Sequence, residues 1–378
     1  MSAGTVTPSR CHIDLAALQR NFARLERVAQ PGALMPVIKS DAYGHGLLPV
    51  ARALAQAGAR RFAVGTVDEG VALRRAGFSQ EIVPLLGCLS EDWRAAAAHT
   101  LTPLIADFED MDRAAACSHH DRLFRVALKW DTGMNRLGFS LEDMPDVVER
   151  LRLTPGIAPV LAISHMACAD MPEKIAFSRE QTECFATISG ALRAVFPDIA
   201  CSLANSAAML ALPKSRFDVC RPGIALYGGN PLADTVWAKR GAGLEWVMSV
   251  SAPVVRTRLV RAGRSVSYGQ MFIAPKDMTV AVAAAGYASG VAHTLSNRMD
   301  VLIDGHRAPQ TGKICMGLLM ADVSAIPGAR AGDTAWILGG NAAPGVSPVT
   351  AFEMARALGT IPYEILCRMG SMNPRVYD

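Results

Sequence analysis

Several things are scarce in this chain. Its nine cysteines stand singly, with no C-x-x-C pair and no zinc-ligand spacing, which argues against a structural metal or a disulfide framework and for reduced, mostly buried thiols. No uninterrupted apolar run reaches the ~18 to 20 residues that span a bilayer, and the opening MSAGTVTPSRCHID lacks the apolar stretch of a secretory signal. A cytoplasmic location is expected. Charge of one sign is also lacking: 38 Lys and Arg face 34 Asp and Glu, and no basic block or stripe interleaved with aromatics occurs, so nucleic acid is not an expected partner and neither is a membrane.

What the chain does have is bulk and apolar character. Its 378 residues, 51% apolar and 19% charged, with glycine and proline scattered, predict a compact protein of two domains. Asp14 can cap a helix whose Leu15, Leu18, Phe22 and Leu25 recur at three- and four-residue steps before Pro31-Gly32. Leu34 to Lys39 then reads as a strand. The cycle repeats: a helix from Leu47 to Gln56 stops at Gly58 before the strand FAVGT, and another from Glu69 to Ala76 stops at Gly77 before IVPLLG. Further strand candidates are 101–107, 124–131, 160–166, 201–206 and 220–228. Eight strands separated by helices predict an α/β fold, a (β/α)₈ TIM-like barrel over 11–240. After about residue 240 short β-branched runs bounded by Gly, Pro, Asn and Asp dominate, with no long amphipathic helix until Val349 to Leu358. Residues 241–378 therefore form a second, mainly β domain, which residues 1–10 could join.

In such a barrel the C-terminal ends of the strands face the active site, and these ends are polar. The first carries Lys39 and the run Ser40 to Gly46. The fifth carries Lys129 and leads through Asp131-Thr132-Gly133 to Arg136; the sixth ends in Ser164-His165, the seventh in Asn205-Ser206, and the eighth offers Arg221 and Gly223. A lysine at the end of an apolar strand costs free energy unless its charge is paired or its pKa lowered, and a desolvated lysine is the usual Schiff-base former. The plain alternative is a lysine that snorkels to water at the strand mouth.

VIKSDAYGHG, KWDTGMNRLGF, the pair ANS and RPGIALYG, the segment VSYG and the closing IPYEILCRMGSMNPRVY, in that order, together resemble the alanine racemase family of fold-type III pyridoxal-phosphate enzymes. The resemblance spans nearly the whole chain. It implies pyridoxal 5'-phosphate as cofactor, Lys39 as its Schiff-base anchor, and a cofactor that stabilises a carbanion at Cα while the protein directs protons. It implies phosphate contacts from Tyr43, Ser206 and Tyr363 and the amides of Gly223 and Ile224, with Asn205 also at the cofactor. Arg221 matches the arginine opposite the pyridine nitrogen; a guanidinium does not readily give up its proton, which favours clean racemisation over side reactions. His165 matches a histidine near the ring, although a lone buried histidine is often a satisfied core residue.

Racemisation removes a proton from one face of Cα and returns one to the other, so two bases are the economical solution. The resemblance gives one face to Lys39 and the other to Tyr268, reaching in from a second subunit, which requires a homodimer. Arg136 matches the contact to the substrate carboxylate, with Lys129 beside it, a lysine carbamylated in many relatives. Tyr287 and Met316 match the pocket mouth. Relatives usually read GYADG and CMD where this chain has Ser289 and Gly317, and His293 stands where some have arginine, so the rim should differ in charge. L-alanine to D-alanine interconversion is the expected reaction. Racemisation of serine or other small amino acids, and a weakened paralogue that only binds cofactor, stay open, whereas the different lysine motif of the basic-amino-acid decarboxylases and the missing second domain of single-barrel cofactor binders count against those classes.

Overall fold

A computed structural model of the chain describes residues 8–89, 91–118 and 123–378; the first seven residues assigned above to either domain lie outside the described residues. The chain divides into two compact units, Ala17–Ala42 with Leu47–Glu245, and Met1–Ala16 with Tyr43–Gly46 and Trp246–Asp378.

The first unit is a closed parallel barrel. Its strands are Ala33–Leu34, Arg61–Val64, Glu81–Pro84, Leu104–Ile105, Phe124–Lys129, Ile157–Ile163, Ala200–Ser202 and Val219–Cys220. The first pairs with the eighth, and Val37 bridges Ala63 of the second. The second pairs with the third, and the fourth to seventh form a continuous sheet. Thr102 N–H to Ile82 O joins third to fourth, and Asp218 N–H to Cys201 O joins seventh to eighth. The helices follow their apolar periodicity. In Leu15–Ala29 the residues Leu18, Phe22 and Leu25 are buried on one stripe, each such side chain contributing about 1.5–3 kcal/mol. Asn21, on the same stripe, donates to Leu226 O (3.0 Å) and Glu245 O (2.7 Å), so its burial leaves the amide satisfied.

Three strands are shorter than their apolar runs. Pairing ends at Leu34 and resumes only as the Val37 bridge, because Ser40, Asp41, Ala42 and Tyr43 all take φ of +52° to +55°, a left-handed turn that no strand accommodates. The run 201–206 stops at Ser202, since Asn205 caps a new helix, Ser206–Ala211, by accepting from Ala208 N–H (3.0 Å). The run 220–228 pairs only at Val219–Cys220 and then coils into a 3-10 turn, Ile224–Tyr227. Apolar runs that are fully buried carry no alternation from which these ends could be read.

The second unit is built on one mixed sheet. Its central strand, Met248–Val260, pairs antiparallel with Arg10–Ile13, Thr334–Leu338 and Met278–Ala283. Asp300–Ile303 and His306–Pro309 extend one side, Leu319–Asp322 pairs with Met278–Ala283, and Arg375–Tyr377 runs parallel to Arg10–Ile13. Arg10–Ile13 is thus a strand of this sheet. Two helices follow: Ala351–Leu358, started by a Thr350/Glu353 capping box, and Pro362–Met372, with proline at its first position. The turn Tyr43–Gly46 packs on the second helix, so closely that Gly370 has no room for a Cβ beside the Gly44 carbonyl.

Candidate active site

Lys39 opens the left-handed turn at the end of the first barrel strand, and its Cβ lies beside Gly65 of the second. Carboxylates brace this turn. Glu69 accepts from Asp41 N–H (2.9 Å) and Gly65 N–H (2.7 Å) while its own amide bonds Thr66 Oγ1, and Asp41 in turn accepts from Leu47 N–H (2.6 Å). Four consecutive left-handed residues cost of order 1–2 kcal/mol each, so the turn persists only under such restraint, and strain of this kind gathers at functional sites. Sequence reading took Glu69 only as the start of a helix. The Thr-x-x-Glu spacing of a capping box was the signal that could have marked it.

Around the same mouth the strand ends converge on Arg221. It is 3% exposed, and its guanidinium donates to Ser202 O (2.8 Å), to Ser202 Oγ, to Ser164 O and, at 3.3 Å, to His165 Nδ1. No carboxylate pairs with it among the described residues, and burial lowers its pKa to about 10. Since arginine has no acceptor, His165 Nδ1 must be the unprotonated nitrogen. Burial and then the charges of Arg221, Lys129, Arg136 and Lys39 hold His165 well below the usual histidine range, so it is neutral. Gln181, which sequence reading missed, fixes this corner: it is buried, donates to His165 O (3.1 Å) and Thr132 Oγ1 (3.3 Å), and accepts from Ala167 N–H (3.0 Å). A polar residue in the middle of an amphipathic helix gives no sequence signal of such a role.

Lys129 is 7% exposed, and its amine donates to Trp130 O (2.9 Å). Burial, followed by the charge of Arg221, brings its pKa down to about 7, with Asp131 opposing and Arg136 adding to the drop. Asp131 organises the loop that follows. Burial raises its pKa, but donation from Gly133 N–H (2.8 Å) and Met134 N–H (2.9 Å), helped by Asn135 and Lys129, holds it below the usual carboxylate range. Arg136 N–H reaches its other oxygen at 3.2 Å, leaving the Arg136 side chain exposed.

Asn205 and Ser206 stand at the end of the seventh strand. Asn205 donates to Met166 O (3.1 Å) and bridges Arg221 through the backbone. Ser206 Oγ accepts from Gly223 N–H (2.8 Å) and from Ala225 N–H (3.3 Å), leaving its own proton to donate. The Gly223 amide is therefore spoken for by Ser206, while Ile224 opens the 3-10 turn beside it. Lys39, Lys129, Arg136, His165, Asn205, Ser206, Arg221, Gly223 and Ile224 all lie at this one end of the barrel, which carries excess positive charge and neutral donors. Such a surface suits an anionic ligand that needs orientation.

The remaining candidates belong to the β unit. Tyr43 is buried with its ring tilted against Tyr363, centroids 5.8 Å apart; burial, then Tyr363 and Cys367, push its hydroxyl up and keep it protonated. Tyr268, in contrast, is 70% exposed at the tip of a hairpin formed by Ser265–Val266 and Phe272–Ile273. Tyr287 and Met316 sit together: Tyr287 N–H donates to Cys315 O (3.1 Å), Ala288 N–H to Met316 O (2.9 Å), and Gly286 approaches these carbonyls so closely that a Cβ would collide with them. His293 lies 6.4 Å from Tyr287, ring to ring, and Gly317 is exposed. Ser289 requires a correction. It is not at an open rim but 2% exposed, accepting from Ser9 Oγ (3.1 Å) and, at its carbonyl, from Asn373 Nδ2 (3.0 Å). A small hydroxyl fits that buried network.

Comparisons with known proteins agree with this architecture. The family model for the alanine racemase N-terminal domain matches residues 13–231, and that for the alanine racemase C-terminal domain matches 247–377. The chain is 50% identical over 367 residues to an alanine racemase of Nitratidesulfovibrio vulgaris, covering 97% of this chain and 96% of that one. Among solved structures it is similar to the biosynthetic alanine racemase of Pseudomonas aeruginosa (35% identity, TM-score 0.87, covering 99% of this chain and 100% of that one). The same holds for an alanine racemase from Bartonella henselae with covalently bound pyridoxal phosphate (27% identity, TM-score 0.87, covering 99% and 100%). Whole-length identity at this level, over both domains and with the same fold, leaves no room for the decarboxylase or single-barrel classes: the chain is an enzyme of the alanine racemase family.

Proposed function

We propose that this enzyme interconverts L- and D-alanine with pyridoxal 5'-phosphate, by moving protons on opposite faces of Cα with Lys39 and with Tyr268 of the partner subunit. The observation that carries this reading is Arg221. A guanidinium this deeply buried, donating only to carbonyls, one hydroxyl and a neutral imidazole, is costly unless its site serves a ligand. The donors fit the cofactor. Arg221 would meet the ring nitrogen as a donor that keeps its own proton, His165 would lie near the ring, and Ser206, its hydroxyl set by the Gly223 amide, would hold the phosphate end with Asn205, Ile224, Tyr43 and Tyr363 without adding charge. When bound, the cofactor takes up the electron pair left at Cα as its proton departs, which no side chain here can do.

Lys39 would anchor the cofactor covalently, and its amine would also hold or deliver a proton at one face of Cα. The left-handed turn braced by Glu69 fixes where that amine stands. Arg136 would take the substrate carboxylate, and Tyr287 and Met316 would close the pocket around a small side chain. Because Tyr268 serves a neighbouring copy in this reading, the working unit is a homodimer. The nine free thiols and the absence, among the described residues, of any helix long and apolar enough to cross a membrane support a cytoplasmic enzyme. Borohydride reduction of the holoenzyme followed by peptide mapping tests the anchor: the pyridoxyl group is expected on Lys39, and a label on another lysine refutes it.

Lys129 we read as a carbamylation site. With its pKa near 7, about half its amines are neutral at pH 7 and can add carbon dioxide, forming an N–C bond and releasing one proton; the resulting anion would face Arg136. Unmodified, the same lysine makes stability depend on pH. Its folded pKa lies below its unfolded value, so between about pH 7 and 10.5 the unfolded chain binds more protons and stability rises with pH. Lys129→Met is therefore expected to raise Tm most below pH 7 in carbonate-free buffer, the gain fading toward pH 10. A gain that is the same at every pH would mean that the amine is not desolvated.

A further inference from the structure

The hairpin tip that presents Tyr268 is built against backbone preference. Ser267 takes φ 67° and ψ −167°, a region almost confined to glycine, and Gly269 and Gln270 follow at φ 65° and 51°. Its flanking strands pair over two residues each, continued by Ala274 bonding Gly263 and Arg264 through the backbone, a short ladder that does not by itself impose such a conformation.

The restraint comes from a neighbouring segment. Ser267 Oγ donates to Lys313 O at 2.6 Å, and the Cys315 thiol lies 3.5 Å from the same hydroxyl. Gly312 has no room for a Cβ against Val266 O, so the two backbones run in contact there. The same segment holds the rest of the mouth: Cys315 O and Met316 O take the amides of Tyr287 and Ala288, and Ile314 N–H donates to Ser296 Oγ (3.0 Å), whose proton goes to His293 O. Lys313 to Met316 is thus one strap that sets Tyr268, Tyr287, Met316 and His293 in register with each other.

We infer that Ser267 is a positioning residue for Tyr268, its hydroxyl tying the strained hairpin tip to the strap that also fixes the substrate-facing residues Tyr287 and Met316. This rests on the reading of Tyr268 as an acid/base. Losing the bond leaves the phenol in place chemically but lets the tip relax, and a displacement of about 1 Å can cost on the order of a hundredfold in rate.

The test compares Ser267→Ala, which removes the hydroxyl and keeps the strain, with Ser267→Gly, which removes both, and with Tyr268→Phe, all as holoenzymes in D2O. Deuterium incorporation at Cα is followed separately for L- and D-alanine. If the bond positions the phenol, both Ser267 variants lose roughly ten- to hundredfold in exchange of L-alanine, while exchange of D-alanine stays within about threefold. Tyr268→Phe showing no preference for either enantiomer would refute the acid/base reading itself. Tyr268→Phe discriminating while the Ser267 variants match wild type, or lose both exchanges equally, would overturn the positioning role alone. Should Ser267→Ala not fold, Ser267→Gly carries the comparison, because glycine accepts this backbone without strain.

Discussion

Lys39→Ala is expected to abolish racemisation, with a loss of about 10⁴-fold or more in kcat, because in the proposed reaction the same amine both anchors the cofactor and moves a proton at Cα. Fold stability should change far less. Lys39 is only half-buried, and backbone donors to Glu69 brace the turn that follows. The variant should therefore unfold within a few degrees of wild type while losing the absorbance of the covalently held cofactor. A fully active variant would remove Lys39 from the site. A variant that fails to fold would instead make the lysine a structural residue, and Glu69→Gln would separate the two cases: it weakens the brace, so it should cost stability and activity together.

The second large effect belongs to Tyr268. Tyr268→Phe deletes one oxygen from a side chain that is 70% exposed within its own chain, so packing and Tm should hardly move. Racemisation in both directions should nevertheless fall by about 10²- to 10⁴-fold, the span assigned to one positioned acid/base. Lys39→Ala and Tyr268→Phe therefore differ in kind: the first loses cofactor attachment, the second keeps it. If Tyr268 acts in the active site of a partner, mixing the two inactive variants should restore activity, since a mixed dimer holds one intact site made of wild-type Lys39 and wild-type Tyr268. Two variants that complement poorly at high concentration would argue for a site completed within one chain.

How far the sequence revealed these roles depended on where the information lies. The eight barrel strands, the helices at Leu47–Gln56 and Ala351–Leu358 and the change to β structure after residue 240 follow from periodicity and from capping residues, and those features are local. The strand ends at 35–39, 203–206 and 221–228 were not legible, because a fully buried strand and a buried turn share the same unbroken apolar composition. The left-handed turn after Lys39 illustrates this: Ser40, Asp41, Ala42 and Tyr43 show no glycine to announce positive φ, and the Glu69 carboxylate that takes the Asp41 amide is distant in sequence.

At the site, residue types were readable but their partners were not. Lys129 was readable as a polar residue carried by the fifth strand, yet its lowered pKa comes first from burial and then from Arg221, nearly a hundred positions away in the sequence. Ser289 looked like a departure at the pocket rim because a carboxylate is usual there in similar sequences; in the fold it is a buried hydroxyl bonded to Ser9 and Asn373. Of the residues assigned to that rim, Met316, Gly317 and His293 are exposed, so in the proposed reaction substrate breadth would rest on them rather than on Ser289.

That Lys39 and Tyr268 work on opposite faces of one carbon is the center of this account, and enantiomer-resolved exchange measures it most directly. In D2O the wild-type holoenzyme should exchange the Cα hydrogen of both L- and D-alanine. Tyr268→Phe should keep exchange of D-alanine near the wild-type rate while losing that of L-alanine, leaving one working face. Equal loss of both, or undiminished racemisation, would contradict the account.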